Sequence, residues 1–133
     1  MKGKYFIYGV VGMLLIISVY FVFSGCGNVP MLVGNEEFSE FVDEGVFTLQ
    51  VHAPYYGEIE GTDLVIEDWE NIEKYLSQLP GKDEKIAAYC QSGRMSGIVA
   101  KKLADLGYKN VYDLDGGMNS WEASGRGLVV KER

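Results

Sequence analysis

The sequence predicts an α/β protein: a small, mostly parallel sheet flanked by helices, preceded by one hydrophobic N-terminal helix. Three observations carry that expectation. From residue 35 onward, short apolar runs alternate with segments whose apolar residues recur at helical spacing. One run, Lys85–Tyr89 (KIAAY), is apolar almost throughout, as a parallel strand covered on both faces must be. The chain also opens on a long stretch without charge. Its 133 residues suffice for one domain. With 47% hydrophobic residues and 2 Cys, it is neither a disordered tail nor a disulfide-stapled miniprotein. A net charge of −7 repels phosphate and argues against a nucleic-acid binder.

Residues 1–25 are expected to be a transmembrane anchor or a signal segment. Tyr5 to Phe23 contains no charged residue, and as a helix would span about 28 Å, close to the hydrocarbon thickness of a bilayer. The run is long for the apolar part of a cleaved signal, which favours a retained anchor. Phe23-Ser24-Gly25-Cys26 nevertheless resembles a lipoprotein-processing box, with Phe23 where an aliphatic residue is usual, so Cys26 is a candidate lipidation site. In either case Lys2 and Lys4 stay on the cytoplasmic side and the domain is tethered at the cell membrane on its extracytoplasmic face.

Residues 26–34 read as a linker, and residues 35–131 as the domain. Asn35 is a plausible N-cap for a short acidic helix with Glu36 and Glu37 in its first turn, Phe38, Phe41 and Val42 as its apolar face, and Gly45 as its end. Phe47–Val51 and Asp63–Ile66 are strand-like, separated by a loop over 52–61 with Pro54, Gly57 and Gly61. Trp69, Ile72, Leu76 and Leu79 predict a helix stopped by Pro80-Gly81. The KIAAY strand follows, then a helix over Ser96–Leu106 closed by Gly107. A strand at Asn110–Leu114, a Gly116-Gly117 turn and a short helix at Asn119–Ala123 complete the order.

Charge is segregated along the chain. Residues 34–73 hold twelve acids and no Lys or Arg, whereas residues 74–133 are net positive. The acidic run reads as a solvated face, and a site for an anion is expected in the last third. No Cys/His cluster marks a metal site, and no cofactor is implied.

The stretch with chemical content is Tyr89-Cys90-Gln91-Ser92-Gly93-Arg94-Met95-Ser96, between the buried strand and a helix. A Cys at the carboxyl end of such a strand lies where open α/β sheets bind ligands. The following helix N-terminus presents unpaired N–H groups and a positive dipole end, which favour an anion and favour thiolate over thiol. Gly93 permits a backbone turn closed to side chains, and Arg94 adds fixed positive charge. Cys90 is therefore the expected nucleophile, accepting an atom from a small anionic donor.

These residues resemble the persulfide loop of the rhodanese-like sulfurtransferases. Gly107-Tyr108 through Asn110-Val111-Tyr112 to Leu114, followed by Gly116-Gly117-Met118 and Trp121, is similar to the C-terminal signature of that family. Val51 to Asp63 is similar to its early strand and loop, with Gly57-Glu58-Ile59-Glu60-Gly61 in place of the usual Gly-His-Ile-Pro-Gly. Where the first strand commonly ends in Asp-Val-Arg, this chain reads Gln50-Val51-His52; and where many members place an Arg five residues after the Cys, it has Met95.

The resemblance implies that Cys90 takes a sulfane sulfur from thiosulfate or polysulfide and passes it to a thiol or other nucleophilic acceptor. The N–H groups of Gln91, Ser92, Gly93, Arg94, Met95 and Ser96 would cradle the anionic sulfur. His52, which falls where the family usually has an Arg, is expected in a structural or rim role. Trp69, Trp121 and the tyrosines are expected to serve packing. A different class of function, a catalytically weak binding or sulfur-carrier module that docks a partner protein, is compatible with the altered early segment. Phosphatase chemistry on a related loop wants an Arg six residues after the Cys, where this chain has Ser96.

Overall fold

Five parallel strands form the sheet, in the order β1-β5-β4-β2-β3. They are β1 (Met31–Val33), β2 (Phe47–Gln50), β3 (Leu64–Val65), β4 (Lys85–Tyr89) and β5 (Asn110–Leu114). Among the described residues the helices are α1 (Asn35–Asp43), α2 (Arg94–Asp105) and α3 (Gly117–Ala123), with a 3-10 segment at Trp69–Gln78. The computed structural model describes residues 27–133. The apolar run Tyr5–Phe23 and Cys26 lie outside the described residues, so the anchor and lipidation readings do too. Among the described residues, no helix is long and apolar enough to cross a membrane.

β4 is the spine of the sheet, and its sequence explains why. Strand side chains alternate between faces, so Ile86, Ala88 and then Cys90 meet one layer and Ala87 and Tyr89 meet the other. The first layer packs Leu49, Val51, Ile66, Ile72 and Val111 with Val99, Ala100 and Leu103 of α2. The second packs Phe38 and Phe41 of α1 with Leu114, Met118 and Trp121. Phe38 sits edge-on to both Tyr89 and Trp121, at centroid distances of 5.8 and 6.1 Å. Trp121 and Trp69 thus serve packing, as expected.

Tyr89 also fixes the segment between β2 and β3. Its fully buried phenol oxygen accepts the Ile59 N–H at 2.9 Å and lies 2.6 Å from Thr62 Oγ1. Thr62 already donates to the Ile59 carbonyl at 2.7 Å, so the phenol is the donor between the two hydroxyls. Burial pushes the phenol pKa up to about 12.

The structure corrects four expectations. Residues 26–34 are not linker throughout: Met31–Val33 pairs in register with Tyr112–Leu114 as an edge strand, too short to leave a period in the sequence. Asn35 is not the N-cap of α1; Gly34 is, and Asn35 instead donates from Nδ2 to the Ser120 carbonyl and hydroxyl at 3.2 and 3.0 Å. The segment from Trp69 is 3-10 rather than α, and Asn71 leaves helical dihedrals with its amide donating to Asp68 Oδ1 at 2.7 Å. Such local side-chain bonds compete with the helical ladder. Lastly, α2 and α3 begin two residues earlier than predicted, at Arg94 and Gly117.

Glu58 is a fifth. The acidic run is not wholly solvated, because Glu58 is 0% exposed. Arg133 donates to both of its carboxylate oxygens at 2.7 Å, Tyr55 donates at 2.8 Å, and Lys131 Nζ lies 3.3 Å away. Glu58 and Val129 also exchange backbone hydrogen bonds at 2.8 Å, so this acid ties residues 129–133 to the domain. The Arg133 hydrogen bonds hold its carboxyl down at about 2 against the opposing effect of burial.

Two stability predictions follow from these anchors. Tyr89→Phe leaves the Ile59 N–H buried without its acceptor and should cost about 1–3 kcal/mol in chemical denaturation. Glu58 has a folded pKa below its unfolded value, so its contribution is fully present above about pH 4.5 and is lost as pH falls toward 2. Glu58→Gln should therefore lose less stability between pH 7 and pH 3 than the wild type, read from denaturation midpoints at the two values.

Candidate active site

Cys90 is the first residue beyond β4, and the chain must turn there without orphaning the last carbonyls of a buried strand. The N-terminus of α3 supplies the partners. Met118 N–H donates to the Cys90 carbonyl at 2.8 Å and Asn119 N–H to the Gln91 carbonyl at 3.0 Å. This approach requires glycine at 117. A Cβ there would run into the Cys90 carbonyl oxygen and lie 2.7 Å from the Gln91 carbonyl, and φ is +57°.

The loop then folds back over the sulfur. Gly93 takes φ +99°, and its N–H donates to Cys90 Sγ at 3.1 Å. Gly93 is also the N-cap of α2, whose first turn contains no acid, so the positive end of the helix dipole faces the sulfur. Ser96, fully buried in that first turn, places Oγ 3.4 Å from Sγ. One backbone donor, one hydroxyl and a helix N-terminus thus converge on a thiol that is 1% exposed. Such donors stabilise a thiolate and any anionic sulfur attached to it.

The structure brings two of the six predicted cradle residues to the sulfur. Gly93 and Ser96 reach the sulfur; Gln91, Ser92 and Arg94 are exposed, and Met95 packs against the core beside Cys90. The Arg94 side chain makes no ion pair or hydrogen bond with any described residue, so it stands at the rim and does not line the sulfur.

His52 is 7% exposed and packs edge-on against Tyr56, with ring centroids 5.3 Å apart. Burial lowers its pKa, opposed by Glu67, and its Nδ1 has no hydrogen-bond partner. It is a wall residue, in line with the structural role expected. Tyr56 was expected only to pack, yet it is 40% exposed and stands beside the loop. Partial burial raises its phenol pKa, with Glu122 and Cys90 adding to the effect and a hydrogen bond with Gln91 opposing it. Asp113 also escaped the sequence reading. Its register opposite Ala88 on β5 puts a carboxyl, 6% exposed, beneath the first turn of α2. A lone Asp within an otherwise strand-like NVYDL run was the available signal.

The Rhodanese-like domain profile matches residues 51–124, more than half of the chain and the whole of the site. The chain belongs to the rhodanese-like domain family. It is homologous to sulfurtransferases. Over 50 residues it is 44% identical to the adenylyltransferase and sulfurtransferase UBA4 of Candida albicans, covering 38% of this chain and 11% of that protein. Over 52 residues it is 38% identical to the thiosulfate sulfurtransferase GlpE of Coxiella burnetii, covering 39% of this chain and 48% of that one. This rhodanese-like chain thus spans at most about half the length of these curated relatives.

Among solved structures, the fold is similar to a rhodanese-related protein of Thermoplasma volcanium, with TM-score 0.64 and 22% identity over 76% of this chain and 99% of that one. It is also similar to the polysulfide-sulfur transferase of Wolinella succinogenes, with TM-score 0.63 and 15% identity over 78% and 81%. The fold expectation is therefore met for the domain, an α/β unit whose five-stranded parallel sheet is flanked by helices, while the expected hydrophobic N-terminal helix lies outside the described residues.

Because the Gly117 backbone lies against Cys90 and Gln91, Gly117→Ala should displace the loop that aims Gly93 at the sulfur. We expect at least a tenfold slower alkylation of Cys90 by iodoacetamide at neutral pH, followed by mass spectrometry. Gly45→Ala, also at a positive-φ glycine but with nothing within 4 Å of the added Cβ, should leave that rate unchanged.

Proposed function

We propose that this rhodanese-like protein is a membrane-tethered sulfurtransferase acting on the extracytoplasmic side, with Cys90 as its sulfur carrier. The observation that carries the chemistry is the pair of donors on one sulfur, Gly93 N–H and Ser96 Oγ, at the N-terminus of α2. In the reaction we envisage, the Cys90 thiolate attacks the outer sulfur of thiosulfate. A new S–S bond forms, the bond to the sulfonate sulfur breaks, and sulfite leaves with the electron pair. A thiol or cyanide acceptor then takes the outer sulfur, and the Cys90 thiolate departs as the leaving group. Polysulfide serves the same first step, a shorter polysulfide leaving. Arg94, at the rim, attracts the anionic donor, and the loop over Gln91–Ser96 holds the persulfide.

The tether rests on Tyr5–Phe23, as a retained span or, with Cys26 lipidated, as a lipoprotein. Alkaline extraction of membranes separates the two: a retained span stays in the pellet with its N-terminus intact, and a lipoprotein begins at Cys26.

The activity test uses full-length protein in mild detergent with Cys26→Ser, which leaves Cys90 as the single thiol. Thiosulfate should add the mass of one sulfur atom to Cys90, and cyanide should remove it as thiocyanate. Cys90→Ser should abolish both. A chain that gains no sulfur from thiosulfate or polysulfide would instead be a docking module.

A further inference from the structure

The sheet edge at β1 is apolar and carries no charge. Between Lys4 and Glu36 the chain has no charged residue at all. β1 lies outermost in the strand order, with β5 as its neighbour. Met31 and Leu32 alternate to opposite faces of the sheet and are 56% and 68% exposed, and Val29 just before them is 76% exposed. Val33 is the residue of β1 that enters the core. Val29, Pro30 and Leu32 also face Gly97, Ala100 and Lys101 of α2 across a hollow of about 310 Å³. Large apolar side chains scattered singly over a surface are ordinary, whereas several together on one uncharged edge mark a contact.

Two features select the partner. Backbone pairing is discouraged, because β1 is three residues long and Pro30 before it has no N–H to offer an added strand. What the edge presents is side chains, which suit a fluid apolar partner better than the strand of a second copy. The other feature is position in the chain. Phe23, the last residue of the apolar run, precedes Val29 by six residues, so even a fully extended chain parts them by no more than about 20 Å. With Cys26 lipidated, the reach shrinks to about 10 Å. The opposite edge, at β3, is bracketed instead by Asp63, Glu67 and Asp68.

We propose that the β1 edge is a membrane-docking surface, on which Val29, Met31 and Leu32 rest in the boundary between headgroups and acyl chains of the bilayer. The inference rests on the reading of Tyr5–Phe23 as a tether and adds a second, non-covalent contact to it. Three apolar side chains would hold a free domain on a bilayer only fleetingly, but a tether this short makes the contact intramolecular. The charged groups around the hollow are Lys101, its partner Asp105 at 3.2 Å, and Asp113, which is 6% exposed. They leave no net positive field, so the contact is apolar and needs no anionic lipid. Lys101 lays its stem along the hollow and keeps its ammonium in water. Docking by this edge turns the acidic β3 edge away from the headgroups. It also gives the Cys90 loop, just beyond the carboxyl end of β4, one orientation to the membrane.

The test uses full-length protein with Cys26→Ser and Cys90→Ser, reconstituted into vesicles of phosphatidylcholine and phosphatidylethanolamine. A small fluorophore is attached through Leu32→Cys or, on the far edge, through Glu67→Cys; both positions are exposed. Lipids carrying a nitroxide high on the acyl chain should quench the label at position 32 about threefold more than the label at position 67. Val29→Ser with Met31→Ser, two exposed positions whose change leaves the core intact, should bring the two labels within a factor of about 1.5. Raising the salt to about 0.5 M should leave the wild-type difference in place, as an apolar contact requires. Equal quenching at the two positions, in protein that floats with the vesicles, overturns the docking and leaves the tether standing. Protein that does not float with the vesicles overturns both. Loss of the difference at high salt overturns the apolar contact. A label at position 32 that lipid nitroxide does not reach, and that is shielded from aqueous iodide only at high protein density, overturns the proposal in favour of a second copy.

Discussion

The contact on which the site depends is between backbones: the N-terminus of α3 lies against the carbonyls of Cys90 and Gln91. A strand buried on both faces cannot simply stop, because its last carbonyls would face protein without a partner. Met118 and Asn119 supply the two N–H groups, and the lack of a side chain at Gly117 lets them come close enough. With those carbonyls satisfied, the chain is free to turn within three residues and bring the Gly93 N–H back onto the sulfur. The glycine turn that ends β5 and the cysteine loop that ends β4 are thus halves of one device, though 26 positions separate Cys90 from Gly116.

This explains what was legible from residues alone. β4 announced itself because burial on both faces demands a continuous apolar run, and Ile86, Ala87 and Ala88 provide it. The cysteine loop was legible because a Cys and a Gly between that strand and a helix have few structural readings. What was not legible depends on partners distant in sequence. Met31–Val33 becomes a strand only because β5 offers an open edge. Glu58 is buried only because Arg133 and Lys131 return to it. Asn35 leaves its capping role because Ser120 is within reach. The depth of Asp113 follows from sheet order, which periodicity does not reveal.

Charge segregation along the chain resolves in space. The acidic segment and the basic final third meet in long-range pairs: Glu36 with Arg126 at 2.9 Å, Glu73 with Lys102 at 3.6 Å, Glu58 with Arg133 at 2.7 Å. The first two involve exposed acids and are worth little each. Glu58 differs, since a fully buried carboxylate that loses its cations keeps the full cost of its burial. The net charge of −7 therefore says little about the site, where the Gly93 N–H and the N-terminus of α2 set the local field at Cys90.

The arrangement around Cys90 also bears on which anion the loop can accept. A tetrahedral oxyanion carrying two charges at this position wants a guanidinium fixed across it, held by two parallel hydrogen bonds. The residue six positions after Cys90 is instead Ser96, buried, with its hydroxyl on the sulfur and a carboxyl behind it. Arg94, the cation of the loop, is exposed and makes no hydrogen bond or ion pair with any described residue. A terminal sulfur anion needs far less: it is large, polarizable and singly charged, and hydrogen bonds from a helix N-terminus spread that charge. Asp113 would be a liability beneath a phosphate, adding repulsion to a site already short of positive charge.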